Sequence, residues 1–150
     1  MSSHQYIVNV EAAICHEDRW LLVRRSEKEE HEGGSLSLVG GKVEDAANNE
    51  NVLEETLRRE IREEVGIEVG AEMQYVKSAS FVTAAGKTVV NVIFLCTYLS
   101  GEAEPLDSDE ISSVHWLTMD EIRNHPDIKS WTRESLELAS SNPHFTQRVD

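Results

Sequence analysis

Glu60, Glu63 and Glu64 are the residues whose type and spacing point most directly to chemistry. Around them Leu53, Leu57, Ile61 and Val65 recur every four positions, which predicts an amphipathic helix from Val52 to Val65, with Gly66 placed for a left-handed C-terminal cap. At 100° per residue the three glutamates share an arc of about 100° beside the apolar stripe. They also crowd the negative end of the helix dipole, where repulsion and the dipole each cost up to about 1 kcal/mol. A hard divalent cation, Mg²⁺ or Mn²⁺, takes oxygen ligands and would offset that repulsion. The other charges of the helix fit ordinary ion pairs: Glu54 with Arg58, Glu55 with Arg59, and Arg62 moderating Glu63.

Such a helix needs a scaffold to hold it against a ligand. The 150 residues suit one domain, 1–150, with no internal repeat, low-complexity stretch or interdomain linker. Val8, Val10, Ala12 and Ile14 alternate with more polar residues from Tyr6 to Cys15, which predicts a strand; Glu17-Asp18 turns the chain into a second, Trp20 to Arg25. Residues 35 to 44 predict a short extended segment broken by Gly40-Gly41, where backbone must approach another group closely. After the helix, Tyr75 to Thr83 and Thr88 to Leu99 predict a hairpin whose second strand is covered on both faces. An acidic loop from Gly101 to Asp109 precedes a short strand, Val114 to Leu117, and Thr118 caps a helix. A last helix from about Ser130 to Ala139 is read through Trp131, Leu136 and Leu138, and Trp20, Trp116 and Trp131 are expected as core or core-edge anchors. Strands interleaved with helices predict an α/β fold, a mixed sheet packed between helices.

Composition narrows the partners. Fourteen basic against twenty-eight acidic side chains give a formal charge of −14, which disfavours nucleic-acid polymers and anionic membranes and requires that an anionic ligand be neutralised locally. No stretch approaches a membrane span, and the N-terminus lacks the pattern of a signal peptide, so a cytoplasmic location is expected. Cys15 and Cys96 sit in apolar runs with no metal-ligand spacing and are expected as buried free thiols. The six histidines, His4, His16, His31, His115, His125 and His144, show no ligand spacing either, and are read as surface or packing residues. There is no nucleophile elbow, and Gly86-Lys87-Thr88 lacks the glycine spacing of a Walker loop.

The run Arg59-Glu60-Ile61-Arg62-Glu63-Glu64-Val65-Gly66-Ile67 matches the core of the Nudix box, R-E-U-x-E-E-x-G-U, at every specified position. With Gly40-Gly41-Lys42-Val43-Glu44 upstream, the chain resembles a Nudix hydrolase, MutT-like, over most of its length. The resemblance implies an α/β/α sandwich and metal-dependent hydrolysis of a nucleoside diphosphate linked to another group. It implies Glu60, Glu63, Glu64 and the Gly40 carbonyl as ligands of Mg²⁺ or Mn²⁺, and Arg59 as the residue orienting the glutamates. It puts the general base at Glu63 or Glu60 first, and at Glu110, Asp109 or Asp107 after them. Gly41 and Arg25 are the implied substrate-side residues, Arg25 as a phosphate contact, with Phe81 or Tyr75 able to stack on a base. The expected substrate is a nucleoside triphosphate, including an oxidised one, cleaved to a monophosphate and pyrophosphate. ADP-ribose or a nucleotide sugar is the alternative, and a noncatalytic nucleotide sensor the rival from another class. A homodimer is compatible with the family. The chain departs from the family pattern between Gly41 and Arg59, where seventeen residues stand, four more than the pattern holds; Asp45 to Asn51 reads as an insertion, and neither Glu44 nor Glu50 receives a catalytic role.

Overall fold

The computed structural model describes residues 5–27, 33–44 and 49–142. His4, His31 and His144, and most of the insertion after Glu44, lie outside them. Seven strands and three helices follow in order: β1 (Tyr6–His16), β2 (Arg19–Arg25), β3 (Leu36–Ser37), β4 (Val39–Lys42), α1 (Val52–Val65), β5 (Glu68–Val82), β6 (Thr88–Ser100), β7 (Ile111–Leu117), α2 (Met119–Asn124) and α3 (Ser130–Ser140). The sheet order is β3-β2-β1-β6-β5, with β4 on β1 and β7 on β2. β1 and β6 run parallel and the other strand pairs antiparallel, so the expected mixed sheet is found.

One edge of β1 is shared, and this sharing makes room for a site. β2 holds only Cys15 and His16, while β4 pairs with Asn9 to Ala12. β2 therefore leaves the main sheet early and joins β3 and β7 in a second wing. The turn that starts it, Glu17-Asp18, has φ of 50° and 64°, both in the left-handed region that a two-residue hairpin following strand twist requires.

Alternation along the strands makes two apolar layers. Val10, Ala12 and Ile14 pack with Leu57, Ile61 and Val65 of α1 on one face. Ala13, Trp20 and Leu22 pack with Ile122, Leu136 and Ala139 on the other. The molecule is thus the predicted α/β/α sandwich. α1 ends at Gly66, φ 75°, whose amide reaches the Ile61 and Arg62 carbonyls. Thr118 and Glu121 form a reciprocal capping box at the start of α2. Cys15 and Cys96 are free thiols, and burial raises Cys96 to about 12.

Several expectations are corrected. β5 begins at Glu68, well before Tyr75, because register shifts between Glu68 and Lys77 break the period-2 pattern from which a strand is read. The 35–44 segment is two strands with different partners, β3 on β2 and β4 on β1. The buried stripe of α3 is Thr132, Ser135, Leu136 and Ala139, while Trp131 and Leu138, seven residues apart on the other side, are about half exposed. The helix ion pairs also differ. Arg58 donates to the carbonyls of Val69, Gly70 and Ala71, Arg59 pairs with Glu60 and Glu63, and Arg62 pairs with Glu68. Arg58 and Arg62 thus reach partners beyond the helix, while Arg59 pairs forward with Glu63 instead of back with Glu55.

The two glycines of β4 are required for different reasons. A Cβ on Gly40 would strike the Val10 carbonyl oxygen and lie 2.9 Å from Glu11 Cα, both backbone atoms that cannot yield. On Gly41 it would strike the Glu60 carboxyl, the movable end of a side chain. Gly40→Ala is therefore expected to lose about 1–3 kcal/mol in urea unfolding, and Gly41→Ala less than about 1 kcal/mol. Equal losses would contradict this assignment of the two contacts.

Candidate active site

α1 lays Glu60 and Glu64 one turn apart on the side of the helix that meets β4 and the end of β2. Glu64 belongs to the buried face with Leu57, Ile61 and Val65, and its side chain is only 2% exposed. Neither of its oxygens receives a hydrogen bond, although both are closed off from solvent. The nearest positive charge is Arg25, at the end of β2, with Nη1 3.9 Å from Glu64 Oε1. The Glu60 carboxyl lies beside it and against Gly41. Two carboxyls so placed bond to one another only when one carries a proton.

The electrostatics follow from that placement. Burial pushes Glu64 up to about 9, Arg25 opposes the shift, and the neighbouring Glu60 and Glu110 add to it. Glu60 is raised as well, again chiefly by burial, with its contact to Glu64 and then Arg59 opposing and Glu63 and Glu44 reinforcing. Arg59 bridges the group, its Nη1 lying 3.2 Å from Glu60 Oε1 and 3.2 Å from Glu63 Oε2.

The structure thus brings together Glu60, Glu64, Arg25, Arg59 and the glycine pair. Glu63 is separate: more than half exposed, it points along the solvent side of α1 to Arg59. Among the described residues no group of three His, Cys, Asp or Glu side chains converges well enough to hold a metal ion. The donor set nevertheless fits a hard divalent cation. Two hydrogen-bond-free carboxylate oxygens, a second carboxylate beside them and a glycine pair with no side chain in the way are what such an ion needs.

Of the later acids, Glu110 contributes to the field at Glu64, while Asp107 serves its own loop, its carbonyl accepting from Glu110 and Ile111 and its carboxylate from the Asp109 amide. The loop is tied to the helix end: Glu104 N donates to the Val65 carbonyl and Leu106 N to that of Glu64. Tyr75 and Phe81 are exposed on β5, Tyr75 bonded to Ser78. Arg24 is a structural residue, donating to the Gly34 carbonyl and pairing with Asp127. His115 bonds Ser113, His125 accepts from the Asp127 amide, and His16 packs on Tyr98. A groove of about 610 Å³ runs along another stripe of α1, past Glu55, Arg59 and Arg62, and takes in neither Glu60 nor Glu64. Sequence reasoning missed Arg25 as the partner of Glu64; the signal was present in an arginine ending a strand otherwise buried from Trp20 to Val23.

The family model for the NUDIX domain matches residues 5–139. The crystal structure of a MutT NUDIX hydrolase from Burkholderia pseudomallei is similar at TM-score 0.75 and 29% identity, covering 90% of this chain and 98% of that one. A MutT protein from Methanosarcina mazei Go1 is similar at TM-score 0.72 and 25% identity, covering 100% and 99%. The ORF135 protein of E. coli shares the fold at TM-score 0.68 and 24% identity, covering 90% and 89%. No curated protein matches the sequence significantly.

Glu64 gives a pH test of the metal-free protein. Its folded pKa lies above the ordinary glutamate value of 4.5, so the folded state holds a proton that the unfolded state releases. Stability is then full below about pH 4.5 and falls as pH rises toward 9, by at most about 1.4 kcal/mol per unit for one proton. Thermal unfolding in EDTA is expected to show that decline in the wild type and to lose it in Glu64→Gln.

Proposed function

This chain belongs to the Nudix family and is a Nudix pyrophosphohydrolase; on that premise we propose that it cleaves a nucleoside triphosphate, including an oxidised one, to a monophosphate and pyrophosphate with Mg²⁺ or Mn²⁺. The carrying observation is Glu64, a carboxyl buried without a hydrogen-bond donor beside a second carboxyl, an arrangement that a divalent cation would turn from unfavourable to favourable. When bound, the ion screens the diphosphate from an acidic protein, polarises the bond to be cut and lowers the pKa of water.

The chain's own residues divide the remaining work. Glu60, Glu64 and the Gly40 carbonyl would hold the ion, together with Glu63. Arg59 orients Glu60 and Glu63, which it already bridges. Arg25 spends one edge of its guanidinium on Glu64 and has further N–H donors for a phosphate oxygen. Gly41 leaves the Glu60 carboxyl room. Glu63 is the first choice as base because it is the box glutamate open to water, with Glu60 next and Glu110 behind. A triphosphate is preferred to ADP-ribose or a nucleotide sugar because every described strand and helix belongs to the one sandwich, with no further element to enclose a large second half. The reading takes residues 1–150 as one Nudix domain in the cytoplasm, with a nucleotide as partner and neither a nucleic-acid polymer nor a membrane; a homodimer is compatible with it. Among the described residues no helix is long and apolar enough to cross a membrane.

Pyrophosphate and phosphate release from a panel of nucleotides, with and without Mg²⁺, tests the assignment. Turnover of a nucleoside triphosphate is expected only with the metal, and Glu63→Gln is expected to lower kcat by roughly 10²-fold or more with the thermal midpoint unchanged. If wild type and variant are equally inert on every nucleotide while one binds tightly, the domain is a sensor and the enzymatic reading fails.

A further inference from the structure

The glycine pair of β4 is held from both sides. Glu60 lies against Gly41 on the α1 face, and Glu11 lies against Gly40 on the opposite face, its Cγ 3.0 Å from where a Gly40 Cβ would stand. Glu11 is itself fixed. Asn91 Nδ2 donates to Glu11 Oε1 at 2.6 Å, and Asn9 Nδ2 donates to Asn91 Oδ1 at 2.8 Å. Asn9 and Asn91 are register partners across β1 and β6, and Glu11 and Gly40 are register partners across β1 and β4. The polar chain thus runs from β6 through β1 to the back of the glycine segment.

Its position in the sheet is unusual for polar groups. On the same face, Ala13, Val89 and Ile93 are buried apolar residues. Replacing all three by apolar residues of similar shape can be nearly neutral for stability. What the amides add is direction: the Asn91 oxygen is taken by Asn9, which turns its nitrogen toward Glu11 and sets that carboxylate behind Gly40. We propose that Asn9, Asn91 and Glu11 are positioning residues for the metal-binding segment. They fix Gly40 from behind, so that the backbone of the pair and the Glu60 carboxyl in front of Gly41 keep one separation. This rests on the reading of Gly40, Glu60 and Glu64 as metal ligands.

The test uses the full chain, titrated with Mn²⁺ by calorimetry, with thermal unfolding measured in parallel. Asn91→Val and Glu11→Leu are expected to weaken Mn²⁺ binding about tenfold or more, as loss of groups that orient metal ligands does. In turnover assays they should lower kcat and leave the nucleotide KM within about twofold. Glu11→Gln keeps an oxygen for Asn91 and is expected to bind Mn²⁺ as the wild type does. Where Asn91→Val does not fold, Asn9→Ala removes only the outer bond and should show a smaller loss in the same direction. Variants that bind Mn²⁺ like the wild type, whatever their thermal stability, overturn the proposal and leave the network a sheet staple. A wild type that takes up no Mn²⁺ overturns the metal reading instead, and the network's role falls with it.

Discussion

The burial of the Glu64 carboxyl is the constraint to which the rest of the site answers. A polar group shut away from water without a hydrogen bond costs about 1–3 kcal/mol even when neutral, and more when charged. Here that group stands beside Glu60 and faces Arg25 across 3.9 Å, too far for a hydrogen bond to relieve it. Proteins rarely keep such a residue for stability, since an apolar side chain of similar volume would extend the stripe of Leu57, Ile61 and Val65. Its place on that stripe sets what surrounds it: a glycine pair where Glu60 must fit, and an arginine at the end of β2 that opposes its charge.

A strained pair of acids is useful only if the helix carrying it cannot relax, and the fold fixes that helix at its C-terminal half. Gly66 closes the last turn, the Glu64 and Val65 carbonyls accept amides from the following loop, and Arg58 reaches three successive carbonyls of β5. The loop amides satisfy carbonyls that the end of a helix leaves unpaired. They also tie the 101–109 loop to the same helix end, and Glu110, which adds to the Glu64 shift, follows directly on that loop.

Much of this was legible in the sequence because the informative signals were local. The four-residue apolar period of α1, the cap at Gly66, the turn at Glu17-Asp18 and the Thr118 hydroxyl cap depend on neighbours in the chain, and the structure has each at the position the sequence indicates. The gaps lie where a partner comes from far away. β5 escaped recognition over its first residues because bulges against β6 disrupt its alternation. Arg58, Arg59 and Arg62 were assigned to helix neighbours by spacing, yet Arg58 and Arg62 turn to β5 and Glu68. Trp131 was read as a core anchor by its type, whereas the register of α3 puts Thr132 and Ser135 inward. At the site, spacing grouped three glutamates on one arc, but an arc of that width spans both a buried edge and an exposed one.

That difference in exposure divides the labour among chemically identical side chains. Glu64 is enclosed, Glu60 is nearly so behind Gly41, and Glu63 stands in water with Arg59 as its partner. An enclosed carboxylate gives a cation a strong, dry ligand but meets no free water from which to take a proton. An exposed one is a weaker ligand, yet it is open to solvent and can exchange a proton with it. Arg59 contacts Glu60 and Glu63 with the same nitrogen, so a displacement of either carboxylate is felt by the other. In a chain of net charge −14, an incoming polyphosphate is repelled by most of the surface, and recruitment depends on the few positive groups that open onto this cluster. Arg25 and Arg59 flank the two glutamates, and a divalent ion held by those acids would convert the most negative spot on the helix into the place where a phosphate chain is drawn in.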